Sequence, residues 1–265
     1  MRDPNVSTPL PLTGGRRTAL AIGVPVSLAL IAWGAFNVIA LLSADSFQIH
    51  QSVAAAGGQV SVSVDTGNLS LEPAAGDQVA LTGVAHYGLV RPTVDVTSSG
   101  AGVSITAHCA PFLVDECDVD LTVAVPAGIA VTASTDSGDI TASNLGNLTL
   151  QADSGNLQVN GGSGLLHLST DSGQITGVAM GASDVNASAD SGDISLDFGH
   201  APADVLVQDD SGDVTVTVPS GGPAYAVTAH SNSGSTSIEV PTDPTSTHDI
   251  SISVDSGNAV VDPRD

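Results

Sequence analysis

The sequence predicts an all-β domain, built as a single-stranded parallel β-helix (β-solenoid) of about eight coils and preceded by one transmembrane α-helix. Three observations predict this architecture. A turn built on Asp-Ser-Gly recurs eight times, apolar and polar residues alternate on both sides of it, and an uncharged segment of 25 residues lies near the N-terminus.

The recurring turn is the most informative feature. From Asp136 onward its copies are 17, 18, 19, 20, 22 and 23 residues apart, which is too regular for unrelated turns. We expect a structural role, because the side chain of Asp accepts hydrogen bonds from the following backbone N–H groups and Gly supplies a positive φ. The residues that open the eight turns are Asp65, Asp136, Asp153, Asp171, Asp190, Asp210, Asn232 and Asp255.

The residues around each turn alternate with a period of two, which is typical of strands with one buried face. The fifth residue before each turn is apolar: Val60, Val131, Leu148, Leu166, Val185, Val205, Val227 and Ile250. The second residue before each turn is polar: Ser63, Ser134, Gln151, Ser169, Ser188, Gln208, His230 and Ser253. Because a unit of twelve residues stays fixed while the repeat lengthens, stacked coils are favoured, each lying on the preceding one. The alternative is a meander of antiparallel hairpins.

The chain is predicted to divide into five segments. These are a cytoplasmic tail (1–17), a transmembrane helix (18–43), a short linker with a first strand (44–59), irregular N-terminal coils with a disulfide loop (60–130) and the regular solenoid (131–262). The uncharged run 18–42 is long enough to cross a bilayer at about 1.5 Å per residue. Arg16 and Arg17 precede it, so the positive-inside rule places the C-terminal domain outside the cell membrane. A cleaved signal peptide is the alternative.

The stretch between residues 71 and 131 departs from the repeat and contains the only two cysteines, Cys109 and Cys117. Outside the membrane, two cysteines eight residues apart are predicted to form a local disulfide. The surrounding strands form either irregular coils or an N-terminal cap. They are predicted at Gln78–Leu89, Val94–Val96, Val103–Ala107 and Val119–Val125.

The charge of the chain excludes some classes of function. Residues 44–265 contain 27 acidic residues against two arginines, and the chain has no lysine, so nothing could neutralise the phosphates of a nucleic acid. We expect no enzyme and no small-molecule substrate, because the solenoid from 131 to 262 has neither Lys nor Arg and no HExxH or GxSxG motif. His167 and His230 fall on outward positions and are interpreted as exposed polar residues.

No cofactor is expected, with Ca²⁺ as the alternative. The carboxylates of neighbouring turns would form a ladder if the coils stack, and Ca²⁺ prefers several oxygen ligands. Against this, Asn, Gln or Ser replaces the acid three residues after the turn begins in several coils. The residues that could form such a site are Asp136, Asp139, Asp190, Asp193, Asp210 and Asp213.

The segment Val123-Ala124-Val125-Pro126-Ala127-Gly128, followed by serial units such as Thr-Asp-Ser-Gly-Asp-Ile at 135–140, resembles the DUF4097 family of adhesin-like domains over roughly residues 47–262. The resemblance implies a β-helix behind a transmembrane segment in the bacterial envelope, and it brings no catalytic residues. We therefore expect a membrane-anchored, extracellular, adhesin-like binding or scaffolding protein whose partner is an unidentified surface protein or glycan. The alternative is an accessory or sensory protein of a cell-envelope stress response.

Overall fold

The computed structural model describes residues 23–35, 45–55, 57–110 and 117–264. Residues 23–35 form a helix, and twenty strands make up most of the rest. The strands are β1 Asp45–Ala54, β2 Gln59–Thr66, β3 Leu69–Pro73, β4 Gln78–Tyr87, β5 Thr93–Ser99, β6 Gly102–His108, β7 Cys117–Val125, β8 Ala130–Ser137, β9 Ile140–Ser143, β10 Leu148–Ser154, β11 Leu157–Asn160, β12 Ser163–Ser172, β13 Ile175–Ser191, β14 Ile194–Phe198, β15 Asp204–Ser211, β16 Val214–Pro219, β17 Ala226–Ser233, β18 Thr236–Ile238, β19 Asp249–Ser256 and β20 Ala259–Arg264.

The strands form two ladders that the long strand β13 joins into one sheet. The pre-turn sheet contains the strands that lead into the turns, in the spatial order β5, β6, β2, β8, β10, β12, β13, β15, β19, β17. The post-turn sheet contains the strands that follow the turns, in the order β1, β4, β7, β3, β9, β11, β13, β14, β16, β20, β18. The domain is thus all-β and solenoid-like, as predicted.

The sheet is mixed, which differs from the expectation of a purely parallel helix. Coils pair in parallel, so the hairpin meander is wrong, but β1–β4, β4–β7 and β5–β6 are antiparallel. These strands, which include those expected between residues 78 and 125, form a cap on one end of the stack. A cap of this kind pairs backbone N–H and C=O groups that the first coil would otherwise leave exposed at its edge.

The coils do not stack in the order of the sequence. The coil β2–β3 lies between β6–β7 and β8–β9. At the other end, β19–β20 lies between β15–β16 and β17–β18, so Ile250 pairs with both Val205 and Val227. The last coil of the chain is therefore the second-to-last coil of the stack.

The core lies between the two sheets and follows the alternation in the sequence. The apolar residues five positions before each turn are at most 3% exposed in every coil except the end coil, where Val227 is only partly buried. Val, Ile, Leu and Ala fill most of the interior, and Phe198 and Tyr225 are the largest buried side chains. Complete burial of one such aliphatic side chain contributes about 1.5–3 kcal/mol.

The N-terminal helix presents apolar side chains to its surroundings. Among the described residues, no helix has both the length and the apolar character needed to span a membrane. The predicted span of 18–43 extends beyond the described helix on both sides, and the predicted tail of 1–17 lies outside the described residues. The large exposed side chains of the helix are Val24, Val26, Leu28, Leu30, Ile31 and Trp33.

Candidate binding face

The Asp-Ser-Gly turns lie above one another at a single corner of the stack. Their serines are in register, and the N–H of each glycine donates to the serine carbonyl of the next coil, as from Gly138 to Ser154 at 3.0 Å. The glycine carbonyls approach the neighbouring glycines so closely that a Cβ on Gly155 would lie 1.9 Å from the carbonyl oxygen of Gly138. Close approach, more than the positive φ expected from the sequence, therefore requires glycine here.

A second ladder is formed by the residue three positions after each turn begins, together with Asp120 in the coil that lacks the turn. Oδ1 of Asp139 accepts hydrogen bonds from the backbone N–H and the side-chain amide of Asn156, at 2.8 and 3.1 Å. Asn68 donates to Asp120 in the same way, at 2.9 and 3.0 Å. Because acids and amides alternate, most carboxylates of this ladder have an amide donor on a neighbouring coil in place of a second carboxylate. In spatial order the ladder is Asp120, Asn68, Asp139, Asn156, Gln174, Asp193, Asp213, Asn258 and Ser235.

The six candidate calcium ligands are divided between two rows of this corner. Asp139, Asp193 and Asp213 belong to the ladder, where each accepts at least one hydrogen bond from the next coil. The others, Asp136, Asp190 and Asp210, are exposed at the ends of the preceding strands. Within the described part of the chain, no three His, Cys, Asp or Glu residues are grouped so that they could hold a metal ion.

The corner residues at the two ends of the stack also make local contacts. Oδ2 of Asp65 accepts a hydrogen bond from the backbone N–H of Cys109 at 3.0 Å and lies 2.5 Å from Nδ1 of His108. At the other end, the side-chain amide of Asn232 donates to Asp255 at 2.9 Å. The partners in these contacts lie on other coils and are not the following backbone N–H groups named in the prediction.

The two cysteines are joined by a disulfide in the structure. Cys109 follows β6 and Cys117 begins β7, with their Cα atoms 5.9 Å apart. The bond connects the pre-turn sheet to the post-turn sheet at the capped end. It therefore closes the corner in the one coil that has no Asp-Ser-Gly turn.

The outer face of the pre-turn sheet carries the most distinctive surface of the molecule. Here two rows of side chains, four and two residues before each turn, point outward from eight coils about 4.8 Å apart. Although the chain has a net charge of −23, neither row contains Asp, Glu, Lys or Arg. We call this surface the hydroxyl face. It consists of Ser61, Thr132, Thr149, His167, Asn186, Leu206, Ser251, Thr228, Ser63, Ser134, Gln151, Ser169, Ser188, Gln208, Ser253 and His230.

The hydroxyl face is partly ordered by its own hydrogen bonds. Ser188 donates to Ser169 at 3.2 Å, and Ser134 donates to Ser63 at 3.4 Å. A depression of about 220 Å³ lies at one margin, where Leu165 is 49% exposed and the carboxylates of Asp184 and Asp204 join His167 and Leu206 in the lining. Both histidines that the sequence placed on outward positions are exposed on this face.

Sequence reasoning missed Asp209, which lies one residue before a turn and faces the core at 2% exposure. Its Oδ1 accepts a hydrogen bond from the N–H of Ser211 at 3.1 Å, while its buried Oδ2 has no hydrogen-bond partner. Burial raises the pKa of Asp209 to about 6, and the negative charges of Asp193, Asp210 and Asp213 act in the same direction. The residues one position before each turn could have revealed Asp209, because the other members of this row are uncharged: Val64, Thr135, Ala152, Thr170, Ala189, Val254 and Ser231.

The loop 220–225 joins β16 to β17. Gly221 and Gly222 are exposed, but Tyr225 is 1% exposed and packs edge-on against His248. Its backbone forms a bridge with Thr242. The tyrosine therefore helps to close the end of the stack and offers no ring to a partner.

Comparison with known proteins identifies the family. The model of the Toastrack DUF4097 family matches residues 12–262. A solved structure called a putative adhesin, from Parabacteroides distasonis, is 18% identical, with 82% of this chain and 96% of that chain covered and a TM-score of 0.45. Another putative adhesin, from Parabacteroides merdae, is 13% identical, with 84% and 97% covered and a TM-score of 0.44. A third structure, called a putative lipid binding protein and also from Parabacteroides distasonis, is 9% identical, with 84% and 97% covered and a TM-score of 0.36.

No curated protein matches the sequence. The chain belongs to the Toastrack DUF4097 family.

Proposed function

We propose that this protein is a membrane-anchored, non-enzymatic binding or scaffolding protein of the adhesin type, whose hydroxyl face contacts a surface protein or glycan outside the cell. Beyond its mixed cap, the stack is then a single-stranded parallel β-helix of about eight coils. The observation that carries the proposal is the exclusion of charge from sixteen outward positions of a chain with 28 acidic residues.

The chemistry of the hydroxyl face suits a neutral polar ligand. Hydroxyl and amide groups can each donate and accept hydrogen bonds, so they match the hydroxyls of a sugar or the backbone of an extended peptide. Each contact is weak in water, contributing about 0.5–1.5 kcal/mol. A row that repeats every coil can nevertheless engage several units of a repeating ligand at once, which raises the overall affinity.

The position at the membrane is supported by two features. The helix at 23–35 presents its large apolar side chains outward instead of packing them into the β-domain core. The disulfide between Cys109 and Cys117 fits an oxidising location outside the membrane. Single-pass anchoring with the N-terminus in the cytoplasm accommodates both features.

The proposal is tested with the full chain in lipid nanodiscs and immobilised cell-wall glycan strands as the probe. Lysines at Gln151 and Gln208 (Gln151→Lys with Gln208→Lys) would place two long, charged side chains on the hydroxyl face. The matched control, Gln158→Lys with Thr215→Lys, makes the same change of charge on the outer face of the post-turn sheet. We expect the first variant to lose at least tenfold in affinity and the control less than twofold. Equal losses would contradict the assignment of the face.

The envelope-stress role makes a different prediction in the same material. An accessory protein would associate with a membrane signalling protein through its helix, where Ser27 offers a polar group. Membrane proteins co-purified with the full chain would then be lost when residues 1–43 are removed and kept in the face variant. Glycan binding that survives the removal supports the adhesin role instead. Ca²⁺ binding at the corner remains the minor alternative.

A further inference from the structure

We propose that the loop 88–92, between β4 and β5, contacts phospholipid headgroups and seats the capped end of the solenoid on the bilayer surface. This inference rests on the membrane anchor of the proposed function. It concerns which end of the domain faces the membrane and which residues touch it.

Chain connectivity places the capped end next to the membrane. Strand β1 begins at Asp45, two residues after the end of the predicted span 18–43, and two residues can cover at most about 7 Å. Asp45 is the register partner of Tyr87, whose hydroxyl donates to its Oδ2 at 3.2 Å. Since the loop 88–92 follows Tyr87 directly, it must lie close to the point where the chain leaves the bilayer.

The loop carries the chemistry that an interfacial contact needs. Leu89 is 41% exposed, and the guanidinium carbon of Arg91 lies 3.9 Å from the centroid of the Phe47 ring. Phe47 in turn meets Tyr87 edge-on, with centroids 5.9 Å apart. Aromatic rings concentrate at the level of the headgroups in membrane proteins, and a guanidinium can bind phosphate oxygens in bidentate fashion.

The distribution of charge singles out this end. The segment 44–265 has two arginines, and the second, Arg264, lies on β20 with its Nη2 3.3 Å from Asp197. Arg91 is therefore the arginine of this domain that lies at the capped end. Acids on the strands of the cap include Asp45, which accepts from Tyr87, Asp95 on β5, and Asp118, whose pKa is raised by burial and by Asp120 and lowered by His86. One arginine among acids fits contact with individual headgroup phosphates, rather than attraction to an anionic surface as a whole.

Two fluorescent reporters in the full chain, reconstituted in phosphatidylcholine liposomes with a nitroxide quencher either on the headgroup or on the acyl chain, separate this inference from the anchor. Trp33 is the only tryptophan and reports whether the helix lies in the bilayer. An environment-sensitive dye on Leu89→Cys reports the loop, and the same dye on Thr228→Cys, in the coil at the opposite end, is the control. Labelling without reductant spares Cys109 and Cys117, which are joined to each other.

We expect the acyl-chain nitroxide to quench Trp33 and the headgroup nitroxide to quench the dye at position 89, each at least twofold, and the headgroup nitroxide to leave the dye at position 228 unchanged. Adding Arg91→Gln should reduce the quenching at position 89 by about half while Trp33 stays quenched. Quenching of Trp33 without quenching at position 89 overturns the loop contact and leaves the anchor intact. Absence of quenching at both positions overturns both. Unchanged quenching in Arg91→Gln overturns the role of the arginine.

Discussion

Oδ1 of Asp213 accepts two hydrogen bonds from Asn258, one from its backbone N–H at 2.8 Å and one from its side-chain amide at 3.0 Å. The two residues are 45 positions apart in the sequence, yet they lie on adjacent coils because β20 pairs with β16. Asn258 thereby separates Asp213 from the next side chain of the ladder, Ser235, which donates to Asn258 from its own hydroxyl at 2.7 Å. The amides of this corner hold neighbouring carboxylates in place.

The first prediction concerns this amide. Asn258→Asp removes the side-chain donor and places a carboxylate against Asp213, so we expect the free energy of unfolding to fall by about 1–2 kcal/mol at low salt. The loss should shrink in 1 M NaCl, because salt screens exposed charges. Urea unfolding measures both values. Asn186→Asp, on the hydroxyl face, is the control for the added charge, and an equal loss there would mean that the ladder contributes nothing.

The second prediction concerns the glycine corner. A Cβ on Gly155 would lie 1.9 Å from the carbonyl oxygen of Gly138, so Gly155→Ala must push two coils apart. We expect a loss of about 3 kcal/mol in the free energy of unfolding. Gly146→Ala is the matched control, because its Cβ would meet nothing within 4 Å. If both variants unfold at the same urea concentration, close packing of the corner is not what requires glycine.

The third prediction concerns the pH dependence introduced by Asp209, whose pKa is raised from 3.8 to about 6. Because the folded state holds this proton more tightly than the unfolded chain, the contribution of Asp209 to stability falls as the pH rises from about 4 to about 6. Asp209→Asn keeps the acceptor for Ser211 and removes the charge. Its amide can also donate toward a glycine carbonyl, as Thr170 does to Gly155 at 3.2 Å. We expect the variant to be more stable than the native chain by about 2 kcal/mol at pH 7.5 and nearly equal to it at pH 4.

Chemical unfolding of both proteins at several pH values tests this. Acids distant from this corner contribute equally to the two curves, so their difference isolates Asp209 together with its interactions with the neighbouring carboxylates. Asp210→Asn, which removes an exposed charge at the next position, is the control for the loss of one negative charge, and an equal gain in stability there at pH 7.5 would mean that burial of Asp209 is not the cause. A constant difference between Asp209→Asn and the native chain across this range would show that Asp209 stays ionised in the fold.

The fourth prediction concerns the disulfide at the capped end. Replacing both cysteines with serine (Cys109→Ser with Cys117→Ser) removes a link that closes a short loop, which should lower the free energy of unfolding by about 2–3 kcal/mol. Hydrogen exchange should accelerate first in β4 and β7, which pair beside the bond. Exchange in β10 and β12 at the middle of the stack serves as the internal control. Uniform acceleration along the stack would mean that the cap does not open separately.

The fifth prediction addresses calcium. Oδ1 of Asp139 and Oδ1 of Asp213 are each engaged by two donors, so we expect 5 mM CaCl₂ to raise the thermal midpoint no more than 5 mM MgCl₂ does. A bound ion at ten times its dissociation constant would add about 1.4 kcal/mol, enough to shift the midpoint by several degrees. A calcium-specific rise that disappears in Asp213→Asn would establish the metal alternative.

Much of one coil could be predicted from the sequence because a strand's side chains alternate strictly between two faces. The row from Val60 to Ile250 is in register and, apart from Val227 in the end coil, buried, and the polar row from Ser63 to Ser253 lies outside, as the alternation indicates. The position of Asp209 followed from the same rule. Its burial was not predicted because Asp209 stands beside Asp210, and the pair resembles ordinary turn residues.

The order of the coils could not be predicted in the same way. All repeats share one register, so the pattern is satisfied equally well whether Val205 pairs with Val227 or with Ile250. The choice depends on contacts at the end of the stack, such as the bridge between Tyr225 and Thr242. The antiparallel cap could not be predicted either. Buried and exposed residues alternate in β4 as in the other strands, and nothing local specifies the direction of its partner.

The displaced last coil also determines when the domain can be completed during its synthesis. Strands β17 and β18 pair with β19 and β20, so the end coil has no parallel partner until residues 249–264 have been made. Until then β15 and β16 present an open edge to the surroundings. During synthesis from the N-terminus, the chain can form its coils one after another up to β16. Strands β19 and β20 must then insert between β15–β16 and β17–β18, which have already been synthesised.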